Sequence, residues 1–301
     1  MKVFDSTSFE LQLPASHRFP MLKYRLLAAR VRRELPEISM LVAPASPRWD
    51  IEQVHALSYV NHVFDGSLSA ADQRRIGFPW SPSLVERSRR SVGATQAASL
   101  SALLDGVSVN LAGGTHHAHH TFGSGFCVFN DIAIAARSLQ RKGVLKLAVL
   151  DLDVHQGDGT AALFEFDGDV LTTSVHCGKN FPFRKAVSDL DIALEDGAGD
   201  EAYLEAVKQA LARIDMHTPE FLFYLAGADP YIEDKLGHLS VSKSGLLLRD
   251  ELVFAWARRT STPVAIVMGG GYASSIDDIV DIHFNTVRLA LDHASAFNGT
   301  V

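Results

Sequence analysis

Cysteine is scarce in this sequence. Only Cys127 and Cys177 occur among 301 residues, and both stand in apolar or motif-rich surroundings, so a disulfide framework is not expected. This absence favours a reducing compartment, and we expect a cytoplasmic protein. Residues 1–14 include Asp5 and Glu10 and no continuous apolar run, which argues against a signal peptide.

Long apolar runs and long basic runs are also missing. No stretch of 18 apolar residues occurs, so no transmembrane helix is expected. Basic residues form only short runs, at 30–33 and 87–90, and the net charge is −7. Direct nucleic-acid binding is therefore not expected, whereas an acidic body is compatible with a cationic substrate.

The pattern of apolar residues predicts an α/β fold. A hydrophobic content of 47% over 301 residues suffices for one large domain or two small ones, and we favour a single domain, 1–301. Apolar runs alternate with segments of helical periodicity, which is typical of a mostly parallel multi-stranded sheet with helices on both faces. Strands are predicted at 39–43, 107–111, 147–150, 170–175, 221–226 and 264–268. Helices are predicted at 22–34, 83–104, 131–141, 201–214, 244–258 and 276–292. The irregular stretches 65–82 and 176–200 are either loops beside a site or ordinary surface connections.

The segment Asp151-Leu-Asp-Val-His-Gln-Gly-Asp158 carries the strongest chemical signal. Alternation in an extended chain puts Asp151, Asp153 and His155 on one side. Carboxylates this close repel one another unless a cation lies among them, and these donors suit zinc and neighbouring transition metals. The alternative is that Asp151 and Asp153 only cap a helix beginning near Asp158.

Unusual residues follow five of the predicted strands. They are Gly113–His117, Asp151–His155, His176, Asp229 and Gly269–Tyr272. Because ligands bind at the carboxyl ends of parallel strands, we expect these segments to meet in one pocket. Asp229 is then a third metal ligand beside Asp153 and His155, and three protein ligands leave a position open for catalysis.

Two histidines and a tyrosine are the candidate catalytic groups. His116 and His117 are the expected general acid and base; we pair Asp151 with His116 and Asp158 with His117, because such histidines are oriented by carboxylates. With His119 and His120, however, they also resemble a weak metal-binding tract. Tyr272 follows three glycines and is an expected donor to an oxyanion. A phosphate-binding loop is the alternative there, but no Walker lysine follows.

Together these motifs resemble those of the histone deacetylase family in the arginase-deacetylase superfamily, most closely its class IV and short bacterial members. The resemblance rests on Gly113-Gly-Thr-His-His117, Gly123-Ser-Gly-Phe-Cys-Val-Phe-Asn-Asp131, Asp151 to Gly159, Gly227-Ala-Asp229 and Gly269-Gly-Gly-Tyr272. Two further segments, His17 to Tyr24 and Gly77 to Pro82, resemble the class IV-like branch. The resemblance covers nearly the whole chain and implies a single-domain arginase-deacetylase fold.

The resemblance also implies a site and a reaction. Asp153, His155 and Asp229 would hold Zn²⁺ or Fe²⁺, His116 and His117 would act as the acid-base pair, and Tyr272 would bind the oxyanion. The channel for an acylated lysine would be lined by Gly125, Phe126, Phe181 and Leu236, although core packing is an equal alternative for Phe181. A structural K⁺ would be bound by Asp151, Asp153, His155, Ser174 and Val175.

The implied activity is zinc-dependent hydrolysis of the amide of an N-acyl-lysine, by a water molecule activated at the metal. The alternatives are hydrolysis of a small acylated amine such as an acetylpolyamine, and non-catalytic recognition of acyl-lysine. Gln156 departs from the second histidine of many class I members, which fits class IV. Gly157 and Gly227 stand where a two-metal enzyme would carry carboxylates, which favours a single catalytic metal. The resemblance assigns no role to His119 or His120.

Overall fold

A computed structural model describes residues 1–14 and 17–298 of the chain; residues 15, 16 and 299–301 of the predicted domain lie outside these described residues. Eight strands are described: β1 Lys2–Asp5, β2 Ser39–Val42, β3 Val107–Asn110, β4 Leu147–Asp151, β5 Val170–Cys177, β6 Leu190–Leu194, β7 Phe221–Leu225 and β8 Val264–Val267. The helices are α1 Leu22–Glu34, α2 Arg48–Glu52, α3 Leu57–Asp65, α4 Ala70–Ile76, α5 Pro82–Asp105, α6 Asp131–Gln140, α7 Asp158–Phe164, α8 Asp200–His217, α9 Lys243–Thr260 and α10 Ile276–Asn298.

The strands form one eight-stranded sheet in the order β2-β1-β3-β8-β7-β4-β5-β6. Every paired strand in it runs parallel to its neighbour. All carboxyl ends therefore lie at one edge of the sheet, where a ligand crevice is expected.

The two faces of the sheet pack against different sets of helices. On β4, Ala148 and Leu150 belong to a core with residues of α1, α8, α9 and α10, whereas Leu147 and Val149 belong to a core with residues of α3 to α7. Strand side chains alternate between faces, so a strand buried on both sides is apolar throughout. The predicted arrangement of helices on both faces is confirmed.

Local signals set the ends of several helices. Ser81 Oγ accepts a hydrogen bond from the N–H of Leu84 at 3.1 Å, Pro82 is the first residue of α5, and Gly106 ends the helix with φ of 78°. This is the usual arrangement of an N-cap, an N-terminal proline and a C-terminal glycine. Among the described residues, no helix is both long and apolar enough to cross a membrane.

Most predicted elements are present, with shifts of a few residues at their ends. The predictions missed β1, β6 and the short helices α2, α3 and α4. The stretch 65–82, taken as irregular, contains α4, and 176–200 contains β6. The predicted end of β5 at 175 is also wrong, because the strand continues through His176 to Cys177.

Candidate active site

The three predicted metal ligands lie together beyond the ends of β4 and β7. The register places Asp151 opposite Leu225, and the two chains continue to Asp153 and Asp229. One ligand atom from each of Asp153, His155 and Asp229 lies within 4.8 Å of the others. His155 Nδ1 is 2.9 Å from Asp153 Oδ1 and 3.3 Å from Asp229 Oδ2. Two carboxylates and one imidazole suit a divalent transition metal.

The electrostatics of this group favour a cation. Asp229 is fully buried, and its Oδ2 accepts no hydrogen bond from any described residue. Burial, together with the Asp153 carboxylate, raises the pKa of Asp229 to about 7. Burial also disfavours ionisation of Asp153, but His116 and His155 outweigh it and hold the pKa of Asp153 well below its usual range. A buried carboxylate oxygen without a donor is costly, so these residues fit a bound metal ion.

The glycine loop after β8 approaches the same carboxylates. The N–H of Gly270 donates a hydrogen bond to Asp153 Oδ2 at 2.8 Å. A Cβ atom at Gly270 would lie 1.9 Å from Asp229 Oδ2, a distance that no side chain can adopt. Glycine is required at this position because the backbone itself packs against the ligand group.

His116 and His117 each contact a different carboxylate. His116 Nδ1 is 2.7 Å from Asp151 Oδ2, and His117 Nδ1 is 2.6 Å from Asp158 Oδ1. The two imidazole centroids are 4.1 Å apart. Each predicted histidine-carboxylate pair is therefore in hydrogen-bond contact, which leaves Nε2 as the second nitrogen of each ring.

The two imidazoles differ in protonation. Burial would lower the pKa of His116, but the Asp151 and Asp153 carboxylates raise it to about 9. Burial and the charge of His116 lower the pKa of His117 to about 4, although Asp158 opposes this shift. These shifts favour the cationic form of His116 and the neutral form of His117 near pH 7.

The remaining histidines of the tract contact other groups than the metal ligands. His119 Nε2 is 3.0 Å from Asp158 Oδ2, and its ring stacks on Phe122 at 4.5 Å. His120 Nδ1 is 2.7 Å from the carbonyl oxygen of Val54. In the described part of the chain, neither belongs to a group with metal-ligand spacing, so the alternative of a metal-binding histidine tract is not supported.

The helix-capping interpretation of Asp151 and Asp153 is also not supported. Helix α7 begins after Gly157 without a side-chain cap. Asp151 Oδ1 accepts from the N–H of Asp153 at 3.1 Å, while its Oδ2 contacts His116. Asp153 in turn accepts from the N–H groups of His155 and Gly270.

Sequence reasoning missed two residues that hold the histidine loop in place. The Asp131 carboxylate accepts hydrogen bonds from the N–H groups of Gly114 at 3.1 Å and Thr115 at 2.7 Å. His55 accepts from the N–H of Asn130 at 2.9 Å, and its Nδ1 is 2.9 Å from the carbonyl oxygen of His119. Asn-Asp before an apolar helix is a recognisable capping signal. His55 has no such local signal, because it lies 64 residues from His119 in the sequence.

Tyr272 lies beside the ligand group, on a loop fixed by a buried lysine. Burial and the Asp229 and Asp153 carboxylates raise the pKa of Tyr272 well above its usual range, so the phenol keeps its proton. Lys23 is 2% exposed and donates hydrogen bonds to the carbonyl oxygens of Gly269 at 3.3 Å and Gly271 at 3.4 Å. Lys23 therefore holds both ends of the glycine run before Tyr272, a role that sequence reasoning missed.

A cavity of about 540 Å³ connects these groups with the surface. The three predicted metal ligands, both histidines and Tyr272 line it, as do the predicted channel residues Gly125, Phe126, Phe181 and Leu236. The Phe181 ring packs edge-on against His117, with 4.9 Å between centroids. Phe181 is partly exposed in the cavity wall, so it is not a residue of the closed core.

His176 was expected to join this pocket, and that expectation is wrong. It lies within β5, is 1% exposed and has its Nδ1 3.0 Å from Ser174 Oγ. The cavity lining does not include it. The segment after β5 contributes Lys179, Asn180 and Phe181 instead.

The residues predicted to bind K⁺ are neighbours behind the metal ligands. Strand β4 pairs with β5 so that Asp151 lies opposite Ser174, and Val175 follows in the same strand. All of these residues are buried. Binding of K⁺ by their main-chain oxygens stays a prediction.

Comparisons with known proteins show which family the chain belongs to. Residues 16–287 match the model of the histone deacetylase domain. The chain is 42% identical to an uncharacterised protein of Picosynechococcus sp., over 93% of this chain and 95% of that protein. It is 32% identical to a probable deacetylase of Methanothermobacter thermautotrophicus, over 74% and 71% of the two chains.

Two solved structures share the fold. A histone deacetylase homologue in complex with the compound SAHA superposes with a TM-score of 0.83, at 22% identity, over 98% of this chain and 84% of that one. Acetylpolyamine aminohydrolase from Burkholderia pseudomallei superposes with a TM-score of 0.76, at 21% identity, over 96% and 98% of the two chains. With the domain match extending over most of its length, this chain belongs to the histone deacetylase family.

Proposed function

We propose that the protein is a zinc-dependent, class IV-like deacylase that hydrolyses the amide bond of an acylated lysine. One observation carries the proposal: a single surface cavity contains a two-carboxylate, one-imidazole ligand group, a carboxylate-backed histidine pair and a protonated phenol. Such a set supplies the parts needed for hydrolysis of a linear amide.

Asp153, His155 and Asp229 would hold Zn²⁺, with Fe²⁺ as the other suitable ion. The bound ion supplies Lewis-acid polarisation of the amide carbonyl and lowers the pKa of water. Asp229 Oδ2, which accepts no hydrogen bond from the described residues, supports this assignment. Gln156 is occupied elsewhere, since its Nε2 donates to the carbonyl oxygen of Ala186 and to Asp191, so it does not add a fourth ligand.

The side chains of the protein divide the proton transfers. His117 is neutral near pH 7 and is held through Nδ1 by Asp158, so its Nε2 takes a proton from the attacking water and later returns one to the leaving amine. His116 stays cationic beside Asp151 and stabilises developing negative charge. The Tyr272 phenol donates to the oxyanion. The products are a carboxylate and a free amine.

The walls of the cavity select the substrate. The cavity has apolar sides, formed by Gly125, Phe126, Phe181 and Leu236, which suit the methylene chain of an acylated lysine.

A structural K⁺ would be held by Asp151, Asp153, His155, Ser174 and Val175. We also propose that the chain works as one domain in the cytoplasm, which its two free cysteines support. A small acylated amine is the second candidate substrate, favoured by the fold shared with acetylpolyamine aminohydrolase.

The test is a hydrolysis screen with acyl-lysine peptides of increasing acyl length and with acetylpolyamines, on protein whose metal content is measured in the same sample. We expect acyl-lysine hydrolysis that a chelator abolishes and that Zn²⁺ or Fe²⁺ restores. Tyr272→Phe is expected to lower kcat about 10²-fold to 10³-fold, as for the loss of one oxyanion donor. Tyr231→Phe is the matched control, because Tyr231 does not line the cavity.

Two outcomes would overturn the proposal: no hydrolysis of any acylated amine by metal-loaded protein, or equal activity of Tyr272→Phe and the wild type. A clear preference for acetylpolyamines would replace the acyl-lysine substrate with the second candidate.

A further inference from the structure

The rim of the catalytic cavity is positively charged, in contrast to the whole chain. Four cationic side chains line it: Arg18, Arg74, Arg75 and Lys179. Among the described residues, the carboxylates that line the cavity are only Asp153 and Asp229, which belong to the ligand group. The chain as a whole carries a net charge of −7. The charge at the entrance therefore has the opposite sign to the average.

These four cations come from three separate parts of the chain. Arg18 precedes α1, Arg74 and Arg75 are in the last turn of α4, and Lys179 follows β5. All four side chains are exposed. A single basic run is usually a solvated helix face, but here the fold brings distant residues to one opening.

Two of the four charges have no ion-pair or hydrogen-bond partner among the described residues. Arg75 forms an ion pair with Asp72 and lies over the Phe122 ring at 4.4 Å. Lys179 Nζ lies 3.7 Å from Asp196 and 3.9 Å from Glu195. Neither Arg18 nor Arg74 makes an ion pair or side-chain hydrogen bond with any residue that the structure describes. Two guanidinium groups at the entrance are thus available to a ligand.

We propose that the acylated lysine recognised by this cavity lies in an acidic segment of its protein. The inference rests on the proposed function, because a lysine side chain that fills the cavity leaves the flanking peptide residues at the rim. Aspartate or glutamate beside the lysine would pair with Arg18 and Arg74, and guanidinium groups bind carboxylates through two hydrogen bonds. The free ammonium groups of a polyamine would meet the same two cations and be repelled.

The positive charge at the entrance favours an acidic substrate, the opposite of what the overall charge suggests. A net charge of −7 was taken as compatible with a cationic substrate, but a ligand responds to the potential at the entrance more than to the total charge. One exposed ion pair changes an equilibrium by up to about fivefold. Pairing with both arginines should therefore favour an acidic over a neutral peptide by about tenfold, with a further loss for a basic peptide.

The test compares three acetyl-lysine peptides that differ only in flanking residues: acidic, neutral and basic. Two quantities are measured for each peptide, kcat/KM with metal-loaded protein and Kd by fluorescence anisotropy. We expect the order acidic, neutral, basic in both, with about tenfold between acidic and neutral at low salt. The differences should shrink at 0.5 M salt, where charges are screened beyond roughly 4 Å.

Charge reversal identifies the residues responsible. The double variant Arg18→Glu with Arg74→Glu is expected to reverse the order of the peptides. Arg258→Glu is the matched control, since Arg258 is an exposed arginine in the last turn of α9 and does not line the cavity. It should leave the order unchanged.

The outcomes separate the two proposals. Hydrolysis of all three peptides at equal kcat/KM, or an order that the double variant does not change, would overturn the acidic-segment proposal and leave the proposed function intact. Charge-selective binding without hydrolysis of any peptide would support the rim assignment and overturn the deacylase function. A preference for the basic peptide in binding would overturn the rim assignment directly.

Discussion

His116 and His117 are adjacent in sequence and have opposite surroundings. His116 contacts Asp151, whose pKa is raised by burial, and lies beside the ligand group. His117 contacts Asp158, which also accepts from His119. Burial disfavours ionisation of Asp158, but its contacts with His117 and His119 keep its pKa well below the usual range. Two adjacent residues of the same type thus differ in pKa: two carboxylates, Asp151 and Asp153, raise that of His116, whereas burial and the charge of His116 lower that of His117.

The carboxylates and charges around each ring assign the roles of such a pair. A charged imidazole next to the ligand group can stabilise negative charge, and a neutral one can accept a proton. His116 contacts Asp151 and lies near Asp153, whereas His117, Asp158 and His119 form a chain of three hydrogen-bonded residues. Variants around His116 and variants around His117 should therefore lose activity to different degrees.

The largest difference is expected between alanine variants of the two histidines. His117→Ala removes the proposed proton carrier and should lower kcat/KM by about 10³-fold to 10⁴-fold, the upper part of the range for general acid-base catalysis. His116→Ala removes an electrostatic contribution and should cost about 10²-fold or less. Steady-state kinetics at pH 7.5, with metal content measured for each variant, make the comparison. An equal or larger loss in His116→Ala would mean that the two roles are exchanged.

A smaller effect is expected from His119, the last residue of the hydrogen-bond chain His117–Asp158–His119. His119→Phe keeps a ring that can stack on Phe122 but removes one donor from Asp158, so His117 is held less firmly. Loss of such a supporting hydrogen bond should lower kcat/KM by about tenfold, the smaller of the effects usual for residues that orient catalytic groups. His120→Phe serves as control, because the hydrogen bond of its side chain among the described residues is to the carbonyl oxygen of Val54 and not to Asp158. If both variants behave alike, His119 has no positioning role.

The smallest effect on activity, and the clearest effect of pH, is expected at His55. Burial lowers the pKa of His55 to about 4, below the value of about 6.5 in an unfolded chain. Between pH 6.5 and 4 the unfolded chain binds this proton and the folded chain does not. The free energy of unfolding contributed by His55 therefore falls with decreasing pH, by about 1.4 kcal/mol per pH unit.

Asn at position 55 does not titrate, so the stability advantage of the wild type over His55→Asn should shrink as the pH falls. Urea unfolding of both proteins at pH 7.5, 6 and 5 measures the difference. A difference that does not vary with pH would show that His55 is not held in its neutral form. At pH 7.5 the folded variant should retain most of the wild-type activity, since His55 does not line the cavity.

Much of the site could be predicted because its residues belong to short sequence motifs. Helix α1 was predicted at its observed bounds, Leu22–Glu34, and polar residues directly after β4 and β7 mark the metal ligands. The edge strand β6 contains Asp191 and is only partly buried, so it lacks the continuous apolar run of a central strand. Strand β1 is short and begins and ends with charged residues, so it also lacks a continuous apolar run and was not predicted.

The residues that could not be predicted act over long sequence distances. Lys23 contacts the glycine loop 246 and 248 residues later, and His55 contacts Asn130. Spacing within one segment carries no information about such contacts, because they depend on which strands become neighbours. Arg18 and Arg74 have the same property: each is an ordinary surface arginine until the fold brings both to one opening.

The position of β8 has a consequence for the order of folding. This strand is the last of the sheet in sequence, and it lies between β3 and β7. Before it is synthesised, the earlier strands can form only two separate groups, each with an unpaired edge that can associate with other chains. The catalytic site spans both groups and carries Tyr272 just after β8. We therefore expect a nascent chain to acquire both a closed sheet and a competent site in one late step, when β8 inserts.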